Sequence, residues 1–339
     1  MAASRTAVGV ACGVTTGLVW GGMFTITKSA YGHVDPYHLA AARFVIAAAV
    51  FAVILWVREG RTAFRLEGRA LRLWGLATVG FAGFNLCTYV GLQSIPAQSS
   101  ALVMATMPLV TVLVMWGRTR KAPPAVTLLL VLCALLGVAL VLGDGNPARV
   151  VTGGVGFGGL LTLFGVAGWV FYTTGAAGFA SWSPLRYTTL SCLLGTASIV
   201  VITAVCDVTG AIGRPSPSDY VAVWPQLGYV VFAATTVATL TWNMAFRSLG
   251  PSNGVLFINL VPVTAFAVQA VRGHRPTAWE ITGVCVVLAS LAASNAYSRG
   301  RARRAARVPD DGPDHHRAGP DEDPLRRGLP GRRRAGRRR

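Results

Sequence analysis

Acidic residues are scarce in this chain. Only 13 of its 339 residues are Asp or Glu, and six of those (Asp310, Asp311, Asp314, Asp321, Glu322, Asp323) share one polar C-terminal segment. The clustered carboxylates with which a membrane enzyme would hold metal and phosphate for lipid or prenyl chemistry are therefore missing from the body of the chain. Charge of both signs amounts to 13% of residues, against roughly a quarter in soluble domains, which argues against a water-soluble globule. Cys12, Cys87, Cys133, Cys192, Cys206 and Cys285 are scattered without CxxC or metal-ligand spacing and read as small buried hydrophobes. His33, His38 and His274 have no metal partners at ligand spacing and read as loop residues. Gly154-Val-Gly-Phe-Gly-Gly159 fits GxGxxG, but no strand precedes it, so no dinucleotide site is expected. Neither a metal nor a cofactor is expected, and no catalytic residue.

What the chain has in abundance is apolar length: 53% of it is hydrophobic. A helix needs roughly 20 mostly apolar residues to cross the hydrocarbon of a bilayer. Ten segments meet that requirement approximately: Ala7–Lys28, His38–Val57, Leu71–Gln93, Ser99–Gly117, Pro124–Leu142, Val155–Phe179, Leu185–Cys206, Val223–Phe246, Gly254–Val271 and Trp279–Ala296. Continuous apolar runs of this kind, unlike short alternating ones, exclude a β-barrel. The first run has only Arg5 before it and many equivalents after it, so it reads as a span and not as a removable signal. Basic loop residues orient the chain, because short cytoplasmic loops accumulate Lys and Arg. With the N-terminus inside, about eleven of them (Arg5; Arg58, Arg61, Arg65, Arg69, Arg72; Arg118, Arg120, Lys121; Arg186; Arg247) lie inside and about five (Lys28, Arg149, Arg214, Arg272, Arg275) outside. Both termini are then cytoplasmic, in a multi-pass protein of the cell membrane.

The net charge of +18 belongs largely to the C-terminus, where about fourteen of the 31 basic residues follow Tyr297. Nucleic acid is therefore not an expected partner. From Ser298 the chain is Arg, Pro, Gly and Asp, too polar to bury a core. It reads as a disordered cytoplasmic tail, 299–339, that reinforces topology. Attraction to anionic lipid headgroups, about 1 kcal/mol per basic residue near the surface, is its functional reading.

Sliding the sequence by 154 positions lays Thr88–Lys121 on Trp242–Arg275 without a gap. Leu92-Gln-Ser-Ile-Pro96 meets Phe246-Arg-Ser-Leu-Gly250, Met107-Pro-Leu meets Val261-Pro-Val, and Arg118-Thr-Arg-Lys121 meets Arg272-Gly-His-Arg275. Spans three and four then correspond to eight and nine. The repeat is five spans long, and an odd number inverts the second copy. The expected fold is all-α and integral to the membrane, with about ten transmembrane helices in two inverted five-helix repeats, 1–145 and 146–298. The inversion also explains why Arg272 and Arg275 stand outside against the charge rule.

On these features the chain resembles the EamA family of the drug/metabolite transporter superfamily. The resemblance is carried by Leu18-Val-Trp-Gly-Gly-Met-Phe24 with Lys28, by Pro36 followed by Arg43, by Gly91-Leu-Gln-Ser-Ile-Pro96, and by Pro108 and Pro262 within spans four and nine. It covers about Val8 to Ala296. It implies two five-helix halves and a secondary transporter, the expected cargo being a small metabolite such as an amino acid, or a drug-like compound, exported by alternating access. The Gly-Glu pairs often found after spans four and nine are replaced by Gly117-Arg118 and Gly273-His274, so no role of those glutamates carries over. A non-transporting membrane scaffold or sensor that uses the basic tail is the competing class, with a lipid enzyme behind it. Association with a second copy of the chain stays open.

Polar groups inside a bilayer are costly and mark either helix contacts or a transport path. Arg43, seven residues past Pro36, sits roughly 10 Å down its helix and is the first candidate for attracting a carboxylate-bearing solute. Lys28, nearer an interface, is the second. Asn85, Tyr89, Asn243, Asn259 and Gln269 add uncharged hydrogen-bonding groups, for which interhelical contact is the competing role. Trp20 and Trp169 occupy comparable places in the first helix of each half, and Tyr172 is one turn from Trp169, so these aromatics are candidates for lining a solute cavity. Gly9, Gly13, Gly17 and Gly21 recur every fourth residue and invite close approach of another helix. Glu280 is the one acid close to a span.

Overall fold

A computed structural model of the chain describes residues 2–146, 148–149, 154–249 and 255–305, and all regular structure among them is helical. The helices are α1 (Ala2–Ser29), α2 (Pro36–Glu59), α3 (Ala70–Ser94), α4 (Ala97–Ala105), α5 (Met107–Thr119), α6 (Ala125–Leu142), α7 (Gly154–Gly175), α8 (Pro184–Val208), α9 (Pro217–Ala222), α10 (Trp224–Gly228), α11 (Ala238–Leu249), α12 (Leu260–Val271) and α13 (Ala278–Ala305). The chain divides into Met1–Ala296, which holds the helical bundle, and Tyr297–Arg339. The last helix runs past Ser298 to Ala305, through Ala and Arg residues that favour helix. The rest of the expected tail, 306–339, lies outside the described residues.

Helices begin where the sequence supplies a cap. The Asp35 carboxylate accepts from the amides of Tyr37 and His38, with Pro36 at the first helical position, and Ser183 with Pro184 repeats the device at α8. Two helical stretches carry π turns, Thr78–Gly83 inside α3 and Tyr229–Val237 between α10 and α11. The α4–α5 pair bends by 46° where Pro108 removes a backbone donor.

Among the described residues, length and apolarity single out six helices able to cross a membrane, or seven if the bent α4–α5 pair is one span. The other three expected segments differ in their geometry. Phe257–Val271 and Ala278–Ser294 are apolar but short, and the helical stretch from α10 to α11 is divided by its π segment. Outward faces are those of a lipid-solvated protein. On α6, Leu129, Leu132 and Leu136 form an exposed apolar stripe that water would not tolerate. Of the cysteines only Cys192 is fully buried, while Cys285 is exposed, so the expectation of uniformly buried thiols is not met.

Small residues set the helix pairs. A Cβ on Gly13, Gly17 or Gly21 would come within 2.8 Å of Phe257, Leu260 or Thr264 side-chain carbons, and one on Gly9 would meet Ser248 at 2.7 Å. The expected glycine face of α1 is therefore the surface on which α11, the Val255–Asn259 turn and α12 pack. On α7, Gly158, Gly165, Gly168 and Gly175 do the same against α3. Thus α1 rests on α11 and α12, α7 on α3, α4 and α5, and α2 on α8.

Candidate functional site

Arg43 projects from α2, two turns past its start, into the bundle and is 5% exposed. Its guanidinium donates through Nε to Thr235 Oγ1 at 2.7 Å and through one terminal nitrogen to Tyr89 Oη at 2.6 Å and Asn85 Oδ1 at 3.4 Å. The Phe44 and Tyr89 rings lie 4.8 and 5.8 Å from its central carbon. Among the described residues no carboxylate stands within ion-pair distance. A buried cation costs several kcal/mol to desolvate, and hydrogen bonds to neutral groups with cation–π contacts of about 2 kcal/mol each offset part of it.

The two π segments deliver this cation its neighbours. In the segment before α11, Thr235 is held by donating to Val230 O at 2.6 Å, and the Ala234 carbonyl accepts Trp20 Nε1 at 2.8 Å. Beside the α3 segment, Asn85 donates to Phe81 O, which fixes its amide so that the oxygen faces Arg43. Such π turns expose carbonyls that a regular helix would use itself.

Around Arg43 lies a cavity of about 50 Å³ lined by Trp20, Met23, Phe44, Phe81, Phe84, Asn85, Met104, Trp169, Ala234, Thr235 and Thr239. It has room for a few waters and not for a metabolite. A second cavity of about 470 Å³ lies between Phe51, Ile54, Arg58 and Glu59 of α2, Ser183, Pro184, Leu185 and Thr188 at the start of α8, and Leu240, Asn243 and Met244 of α11. Residues of α11 line both, Thr239 the first and Leu240 the second.

Of the sequence candidates, Arg43, Asn85, Trp20 and Trp169 converge on the small cavity, and Tyr89 bonds Arg43 from its rim. Tyr172 stands one layer back, stacked on Tyr187 at 5.0 Å and against Phe81 and Trp169. Asn243 lines the larger cavity. Lys28 is not brought to either: its ammonium donates to the Ile95 carbonyl and ties the end of α1 to the α3–α4 turn. Asn259 also stands apart, with its Oδ1 buried and unpartnered among the described residues. Gln269 donates to Thr25, an interhelical bond between α12 and α1. Thr235, Thr239 and Phe81 were missed by reading polar residues one at a time. The signal was present, since Phe81 and Thr235, Asn85 and Thr239, and Tyr89 and Asn243 are all pairs 154 positions apart. His33 and His274 are loop residues as expected, whereas His38 lies in the first turn of α2; His38 contacts Asp35 and Asp207, and His274 contacts Glu280. Among the described residues no His, Cys, Asp and Glu grouping is placed to hold a metal ion.

A multi-pass helical membrane protein whose polar interior closes on one buried arginine is the class that fold and site define. The family model for EamA-like transporters matches the chain twice, over residues 7–143 and 156–296, and the chain belongs to that family. It is 31% identical over 297 residues to the uncharacterized transporter YrdR of Bacillus subtilis (strain 168), covering 86% of this chain and 92% of the relative. Similarity to the uncharacterized transporter YyaM of the same organism is 28% over 276 residues, covering 81% and 89%. One solved structure, described only as a crystal structure of a protein, has a TM-score of 0.59 at 20% identity, covering 89% of this chain and 99% of that one. At that identity it speaks to fold alone.

Proposed function

We propose that the chain is a secondary transporter that exports a small carboxylate-bearing metabolite, an amino acid or a related or drug-like compound, by alternating access. The observation that carries this reading is the Arg43 cation, buried at the centre of the bundle with no carboxylate beside it among the described residues. A solute carboxylate supplies the missing partner, and a charge-assisted bond to it contributes about 1.5–3 kcal/mol. Trp20, Trp169 and Phe81 supply apolar walls, as solute sites generally require.

The 50 Å³ cavity is a closed state, and the larger cavity is the vestibule through which it opens. Ten crossings in two inverted halves, 1–145 and 146–298, fit the paired contacts: α1 rests on α11 and α12 as α7 rests on α3, α4 and α5. In this reading both termini are cytoplasmic, the vestibule faces the cytoplasm, and the protein is not an enzyme. The test is flux of labelled amino acids, nucleosides and cationic dyes in proteoliposomes. A carboxylate-bearing solute should move with the wild type and lose about 10- to 100-fold in transport with Arg43→Ala in folded protein. Undiminished flux in that variant overturns the reading.

A further inference from the structure

At the end of the α2–α8 pair opposite the vestibule, one imidazole lies between two carboxylates. His38, in the first turn of α2, places Nδ1 2.5 Å from Asp35 Oδ2 and Nε2 3.3 Å from Asp207 Oδ2 in the last turn of α8. The three side chains are 12%, 22% and 18% exposed. The other Asp35 oxygen is committed to the amides that start α2, which locks that carboxylate in place. The other Asp207 oxygen is buried without a partner among the described residues. Arg214 Nε is 3.8 Å from Asp207 but is 72% exposed, so water screens it. Tyr37 and Tyr220 stand close to these carboxylates, with Cys206 and Cys87 beside Tyr37, and complete the ionisable surroundings.

With both carboxylates ionised, only one state of the imidazole satisfies this geometry. A neutral imidazole has one N–H, so it can donate to Asp35 or to Asp207, and its second nitrogen then turns a lone pair toward the other carboxylate. An imidazolium donates to both at once and draws α2 and α8 together. We propose that Asp35, His38 and Asp207 form a proton-binding site that latches this end of the bundle shut, so that a proton is the ligand coupled to the carrier's conformational cycle. The step is a simple protonation. A proton from the solution at this end joins the free ring nitrogen on closing, and returns to that solution when α2 and α8 part. Of the side-chain types present, imidazole is the one that as a class changes charge between pH 5 and 8. The link to transport rests on the alternating-access reading, in which α2 and α8 belong to different halves; the latch itself does not.

The experiment is hydrogen exchange on the full chain in nanodiscs at about pH 5.5 and pH 8, corrected for intrinsic exchange rate, with flux measured at the same pH values in proteoliposomes. In the wild type, the amides of the first turn of α2 and the last turn of α8 should exchange about tenfold or more slowly at acid pH. His38→Gln, which keeps one donor but cannot take the second proton, and Asp207→Asn should both lose that difference. If the wild type shows no difference, or Asp207→Asn keeps it, the proton site is wrong whether or not flux occurs. If the difference is present but no solute moves at any pH, the latch stands and the carrier reading falls. If flux occurs and ignores pH while exchange responds, the latch is not coupled to transport and the proposal fails.

Discussion

Replacing Gly21 by Ala adds one methyl group and should nevertheless loosen the contact between α1 and α12. The new Cβ would sit 2.4 Å from Thr264 Cβ and 2.8 Å from the Val261 carbonyl oxygen, which is backbone and cannot rotate away. Restoring carbon contacts of at least 3.5 Å moves α12 outward by roughly 1 Å. That displacement also strips packing from Gly13 and Gly17, whose facing atoms belong to the same stretch of chain. Overpacking of this kind costs about 1–3 kcal/mol, and lost contacts along the stripe add to it. The gain of a better helix former returns only about 1 kcal/mol. Gly75→Ala in α3 is the internal control, because nothing lies within 4 Å of its added Cβ and only the propensity gain applies. In thermal unfolding followed in detergent micelles, Gly21→Ala should fall below the wild type and Gly75→Ala should rise above it. The two variants should differ by about 2–3 kcal/mol. Equal shifts in the same direction would refute the close packing of α1 on α12.

Thr235→Val keeps the side-chain shape but removes the acceptor of Arg43 Nε; it should cost about 1–3 kcal/mol in melting experiments and raise KM for transport. Tyr187→Phe deletes the buried hydroxyl that donates to Tyr172 O at 2.9 Å. The expected loss is about 1 kcal/mol, read from the same melts, with transport largely retained. In the loop before α3, hydrogen bonds from Trp182 and Arg186 hold the Glu67 carboxyl below its ordinary pKa. A depressed carboxylate contributes stability that is present above its unfolded pKa and lost as pH falls through the folded one. Acid should therefore release this loop from the α8 start, and Glu67→Gln should make limited proteolysis of the loop independent of pH over that range.

Much of the architecture was legible before any coordinates. Apolar length placed most of the helices, and the four-residue glycine rhythm of α1 named the face it packs with; the bend in the fourth span at Pro108 was not read from the sequence. Arg43 stood out because a charge in the middle of an apolar run has few explanations. Less legible were features that exist only through long-range pairing. Thr235 is one threonine among many until a π turn rotates it onto Arg43, and nothing local announces that turn. Asp207 lies 169 positions from His38 in sequence, so the site they share with Asp35 could not be read from spacing. The carbonyl partner of Lys28, Ile95, comes from a distant turn and was likewise not legible from the residues around Lys28.

In this reading Arg43 awaits a carboxylate. Counterflow in proteoliposomes tests it most directly, using one transported carboxylate and its neutral amide in wild-type, Arg43→Lys and Arg43→Ala protein of equal thermal stability. The account predicts that the wild type prefers the carboxylate by about 10- to 100-fold. Arg43→Lys should keep part of that preference because it keeps the charge without the bidentate fork, and Arg43→Ala should treat the pair alike. Equal preference in all three proteins would contradict it.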